Sequence, residues 1–118
     1  TFGGNALAMA GVVEMTKRLE DVSFTEHVQD MGEYLRKKLD LLVHKYPSLC
    51  LGVRGMGLMN GLVLSVPPRT VVDACFAKGL LVVGAGYDVL RFVPPLVVTE
   101  QDIDKAIAIV DEALATLA

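Results

Sequence analysis

The chain has 118 residues, of which 53% are apolar and 21% charged, with a formal net charge of −3. That balance suits a single packed core and argues against a disordered chain. It contains no basic block and no apolar run near the length of a membrane span, which speaks against nucleic acid and membrane as partners. Cys50 and Cys75 stand far apart in apolar runs with no histidine at ligand spacing. They read as reduced core thiols of a cytoplasmic protein, with no metal site and no disulfide. The absence of a starting methionine and of a leader reads as a chain that begins inside a longer protein.

Glycine and proline divide the sequence into helix, helix, strand, strand, helix, strand, strand, helix. The first helix is expected over residues 5–19, after Gly3 and Gly4. Its small residues Ala6, Ala8, Ala10 and Gly11 suggest burial on most sides. A second helix is expected to open at Ser23, where Ser23-Phe24-Thr25-Glu26 has the form of a capping box. Phe24, Val28, Met31, Leu35, Leu39 and Leu42 follow at helical spacing, leaving His27, Asp30, Glu33, Lys37 and Lys38 for solvent.

After Pro47, strands are expected at 50–54 and 58–66, joined through Gly55-Met56-Gly57 as a turn or bulge. A short helix over 69–78 should close at Gly79 in the left-handed conformation. Strands at 80–83 and 89–93 should pair as a hairpin around Gly84-Ala85-Gly86-Tyr87-Asp88. Thr99 should cap the last helix, with Glu100 and Asp102 at the positive end of its dipole and Ile103, Ala106, Ile107, Val110 and Leu114 as its apolar stripe. The sum is an α+β domain, a small antiparallel or mixed sheet with helices packed on one face.

Three places could carry chemistry. Thr1-Phe2-Gly3-Gly4-Asn5 sets a hydroxyl and unhindered amides ahead of a helix, an arrangement open to an anion such as phosphate or to simple tight packing. Gly55-x-Gly57 with Gly61 lacks the spacing and the following helix of a dinucleotide site. Arg54 beside it reads as solvated or ion-paired. Arg91, alternating with valines, is either an edge-strand arginine reaching water or a guanidinium that needs a carboxylate partner. The lysines, Lys17, Lys37, Lys38, Lys45, Lys78 and Lys105, fall on helices with polar neighbours, a poor setting for an amine nucleophile.

Taken together, Thr1-Phe2-Gly3-Gly4-Asn5, Val53-Arg54-Gly55-Met56-Gly57-Leu58-Met59 and Val89-Leu90-Arg91-Phe92-Val93-Pro94-Pro95-Leu96 resemble three ordered signatures of class III aminotransferases. The likeness covers essentially the whole chain and is greatest to the acetylornithine/ornithine branch. It implies the C-terminal small domain of a fold-type-I enzyme, with residues 1–20 as a helix arriving from a large domain and 21–118 as the small domain. It implies pyridoxal 5'-phosphate as cofactor, a homodimer, and transfer of an amino group from acetylornithine or a related ω-amino donor to 2-oxoglutarate. By the same likeness, Thr1 corresponds to a threonine that reaches the cofactor phosphate of the neighbouring subunit, and Arg91 to the arginine that binds the substrate α-carboxylate. The sequence departs from the family at Asn5-Ala6-Leu7, where a proline usually follows the asparagine.

In that family the Schiff-base lysine lies upstream of the matched segment, so the segment alone should be inactive. Two other readings compete: a free-standing module that binds a small carboxylate or regulates without catalysis, and a structural interaction domain.

Overall fold

The computed structural model describes residues 1–117. In chain order the elements are α1 (Ala6–Leu19), α2 (Val22–Lys45), β1 (Cys50–Met56), β2 (Met59–Leu64), α3 (Arg69–Ala77), β3 (Val83–Ala85), β4 (Val89–Phe92) and α4 (Glu100–Ala115). All strand pairs are antiparallel and the order across the sheet is β1-β2-β4-β3. This is the expected α+β architecture, with no parallel pair among the described residues.

One face of the sheet makes the core. Leu62 and Leu64 of β2 and Leu90 and Phe92 of β4 pack against Leu35, Leu39 and Leu42 of α2, Val71 and Cys75 of α3, and Ile103, Val110 and Leu114 of α4. Alternation turns the other set outward, namely Gly61 and Val63 of β2, Val89 and Arg91 of β4, and Val83 and Ala85 of β3. Helices α2, α3 and α4 thus share one face and leave the opposite face open.

Capping decides several boundaries. The expected box at Ser23 does not form: Asp21 is the N-cap of α2, its carboxylate accepting from the Ser23 amide at 2.9 Å and from the Ser23 hydroxyl at 2.8 Å. The aspartate two residues ahead starts the helix earlier by offering a charged acceptor to the Ser23 amide, which leaves Ser23 inside the first turn. Thr99 does cap α4, in a reciprocal box with Asp102.

At the end of α3, Gly79 has φ +84°, its amide bonds Phe76 O and the Leu80 amide bonds Cys75 O, each at 3.0 Å. This is a Schellman closure. It draws Leu80 into the helix end, so the strand expected at 80–83 begins instead at Val83.

The first hairpin also differs from expectation. Gly55 and Met56 remain in β1, Met56 pairs with Met59, and the connection is the two residues Gly57-Leu58, with Gly57 at φ +54°. The irregularity sits at the other end of the strand, between Cys50 and Gly52.

The largest departure concerns α1. It was expected to be buried on most sides, yet none of its residues is buried, and Leu7, Val12, Val13 and Met15 stand exposed. Small and apolar residues record what a helix face is suited to pack against. They do not say that α2, which follows it, will fold back over them. His27, assigned to solvent, is half-buried, and its Nε2 lies 3.0 Å from Val98 O, tying α2 to the segment before α4.

Across the α2–α4 seam, Asp111 accepts from Lys45 Nζ at 2.6 and 2.7 Å and from the Tyr46 hydroxyl at 2.7 Å. The Lys45 bond and then the Tyr46 bond hold the Asp111 carboxyl below its ordinary value. A depressed carboxylate stabilises the fold above its unfolded value and loses that effect as pH falls through its folded value. The stability difference between wild type and Asp111→Asn should therefore shrink as pH drops below about 4, as measured by urea unfolding over that range. A difference that does not change with pH would remove Asp111 from the account.

Among the described residues no helix is long and apolar enough to cross a membrane. Cys50 and Cys75 are buried free thiols, and burial pushes the Cys50 thiol up to about 11. Both are inert core residues at neutral pH.

Candidate functional site

Arg91 lies on β4, between β2 and β3, and is paired in register with Gly61 on one side and Val83 on the other. The edge-strand reading of this arginine is therefore set aside: β4 is an interior strand. The alternation expected from the sequence does hold, since Leu90 and Phe92 enter the core while Arg91 emerges on the open face, half-buried among apolar neighbours.

Its Nε is buried and has no hydrogen-bond partner among the described residues. A buried guanidinium N–H left unmatched is costly, and a planar carboxylate that accepts from two of its nitrogens is its natural complement. Arg91 lines two hollows. One, of about 460 Å³, runs between the end of β4, Pro94-Pro95 and the start of α4, with Leu81, Val83 and Val93 as apolar walls. The other, of about 400 Å³, opens over Gly61 toward Arg54.

Arg54 is ion-paired, as expected from the sequence, with Nη2 3.6 Å from Asp88 Oδ1. Sequence reasoning did not connect Asp88 or Gly61 to this face. The signal for both is the strand register, and register depends on the turn lengths that were misplaced.

Thr1 lies in the exposed segment that leads into α1. Asn5 organises that entry: its Oδ1 accepts from the Ala8 amide at 2.9 Å and its Nδ2 donates to Phe2 O at 2.7 Å, which folds residues 1–4 over the helix start. Gly4 takes φ +77° in this turn. The Thr1 hydroxyl and nearby backbone amides are neutral donors in the field of a helix N-terminus, a set that suits a phosphate. Nothing in the fold brings Thr1 and Arg91 together by hydrogen bond or shared cavity among the described residues.

None of the ion-paired lysines is suited to nucleophilic work. Lys17, Lys37, Lys38, Lys45 and Lys78 each face a carboxylate within 4.0 Å. For Lys38 and Lys45, hydrogen bonds to Asp104 and Asp111 respectively raise the amine above its ordinary value, which keeps it protonated.

These features define a two-layer α+β domain with one finished face and one open face that carries arginine. The whole arrangement matches a known family: the model for aminotransferase class III fits residues 1–114. The chain belongs to the class III aminotransferases. It is 46% identical to the acetylornithine aminotransferase of Synechocystis sp. over 99% of its length, and 45% identical to that of Thermosynechococcus vestitus over all of it. It spans 28% and 30% of the length of those two relatives. Among solved structures, an S-selective transaminase from Bacillus megaterium matches 99% of the chain with TM-score 0.89 and 28% identity, the match covering 30% of that protein. A lysine aminotransferase from M. tuberculosis matches 88% of the chain with TM-score 0.82 and 33% identity, covering 24% of that protein.

Proposed function

We propose that this chain is the C-terminal small-domain segment, residues 21–118 with the leading helix 1–20, of an aminotransferase that moves an amino group from acetylornithine or a related ω-amino donor to 2-oxoglutarate. The observation that carries the reading is the buried, unmatched Nε of Arg91 on the open sheet face of a class III aminotransferase domain. The identities of 46% and 45% to acetylornithine aminotransferases support the choice of donor.

In this reading Arg91 binds the substrate α-carboxylate and fixes the orientation of the amino group that is transferred. The apolar walls beside it exclude water and strengthen that ion pair. Thr1 donates its hydroxyl and amide to the phosphate of pyridoxal 5'-phosphate held in the neighbouring subunit of a homodimer. When bound, the cofactor would supply an aldehyde carbon to carry the amino group between the two substrates and a ring that withdraws electrons from it. The lysine that carries it is contributed from outside this segment, consistent with the ion-paired state of Lys17, Lys37, Lys38, Lys45 and Lys78. The same reading has the protein in the cytoplasm, which the two buried, unpaired cysteines support.

The test is the visible absorption of the complete protein with pyridoxal phosphate. Acetylornithine should abolish the cofactor band and 2-oxoglutarate should restore it. A protein that binds no pyridoxal phosphate would favour a carboxylate-binding module without catalysis.

A further inference from the structure

The two edges of the sheet are built differently. The order β1-β2-β4-β3 leaves β1 and β3 as edge strands. β3 has 3 residues and β1 has 7, so β1 alone presents a run of main-chain groups long enough to template another strand. The two-residue connection Gly57-Leu58 makes Met56–Met59 a hydrogen-bonded pair, and such pairs recur at every second residue, next at Arg54–Gly61. The amides and carbonyls of Val53 and Gly55 therefore point away from β2. Leu51 and Met56 stand exposed on the same strand and would add apolar contact to any strand laid beside it.

One side chain occupies this edge. Arg36 of α2 donates from Nη2 to Val53 O at 3.2 Å and from Nη1 to Gly55 O at 3.3 Å. Gly32, one turn earlier on the same helix face, gives it that reach: lacking a side chain, it lets α2 lie against the hairpin tip, where a Cβ would stand 2.5 Å from Gly57 O. Both Arg36 bonds are exposed and long for a charged donor, so they add little to stability. Their effect is on what can approach. The fork holds both outward carbonyls and sets a positive charge where the main chain of a neighbouring strand would run. Pairing β1 with β1 about a two-fold axis would bring two such guanidiniums together and strip them of water.

We propose that Arg36 closes the β1 edge against strand addition by a second copy of this chain. Without it, β1 of one copy pairs antiparallel with β1 of another through the free groups of Val53 and Gly55. The assignment is independent of the carboxylate reading of Arg91, which sits on β4, two strands away.

Sedimentation of the complete protein at rising concentration, joined to hydrogen exchange, tests the closure. Arg36→Ala should about double the particle mass relative to wild type as concentration rises, and the Val53 and Gly55 amides should gain exchange protection in the larger species. Leu51→Lys, which sets a charge on the same edge at an exposed position, should return the Arg36→Ala protein to the wild-type mass. Arg36→Ala that keeps the wild-type mass at every concentration overturns the proposal. So does a larger species in which exchange at Val53 and Gly55 is unchanged, or one that persists in the double variant, because association through unfolded chains or another surface would give either result.

Discussion

Arg91→Ala in the complete enzyme should lower kcat/KM for the α-amino acid by about two to three orders of magnitude, equivalent to about 3–4 kcal/mol of lost transition-state stabilisation. The size follows from the setting. Arg91 emerges from an interior strand with a buried Nε that finds no partner among the described residues. In the proposed site a substrate carboxylate satisfies that nitrogen, and deleting the side chain would leave the carboxylate desolvated and unpaired. Arg91→Lys should recover only part of the loss, because a point charge cannot reproduce the two parallel bonds of the fork. Amines that lack a carboxylate should be far less sensitive to either change, and steady-state kinetics on matched pairs of amines and amino acids measures the contrast. An unchanged kcat/KM for the amino acid would remove Arg91 from the site.

Gly32→Ala should destabilise the complete protein by about 2–3 kcal/mol, the reverse of the usual sign. In an exposed helix interior the same change gains about 0.5–1 kcal/mol. Here the added Cβ would stand 2.5 Å from Gly57 O and 2.6 Å from its carbonyl carbon. Both are backbone atoms of the β1–β2 connection, which cannot turn aside as a side chain does, so α2 and the hairpin must separate. Gly57 O is also the acceptor for Asn60 Nδ2 at 2.7 Å, the bond that satisfies the buried polar side chain Asn60. Separation therefore strains a buried hydrogen bond as well as packing. Gly52→Ala, where nothing lies within 4 Å of the added carbon, should stay within about 0.5 kcal/mol. Urea midpoints for the two variants decide the matter: similar values would mean that the close approach of α2 to the hairpin tip carries no energetic weight.

The element order was legible because each break has a local cause. Pro47, Pro67-Pro68 and Pro94-Pro95 stop elements, and Gly79 and Thr99 close or open helices through their own backbone or hydroxyl. Boundaries failed where two local signals competed. Asp21 outranked Ser23 as a cap, and the closure of α3 took Leu80 from the following strand.

Alternation sent Arg91 to the face opposite Leu90 and Phe92, as read from the sequence. That β4 is an interior strand was not legible, because strand order is a long-range property. The same limit hid the row Arg54-Gly61-Arg91, whose members are separated by 7 and 30 positions and meet only through register. The exposure of α1 was misread for a related reason, since an apolar helix sequence does not specify which surface covers it.

The turn between β3 and β4 is three residues, Gly86-Tyr87-Asp88, and β4 begins immediately after it. Because a strand exposes its side chains on a two-residue beat, turn length sets the phase of everything that follows. Deleting one residue here while the pairing partners stay in place would bring Leu90 out to the open side and drive the Arg91 guanidinium toward the packed leucines of α2. Insertions and deletions in this short turn are thus coupled to the placement of Arg91 far more tightly than substitutions at its exposed tip, Tyr87. A lineage could change the chemistry of that tip freely, yet could alter its length only in steps that restore the beat.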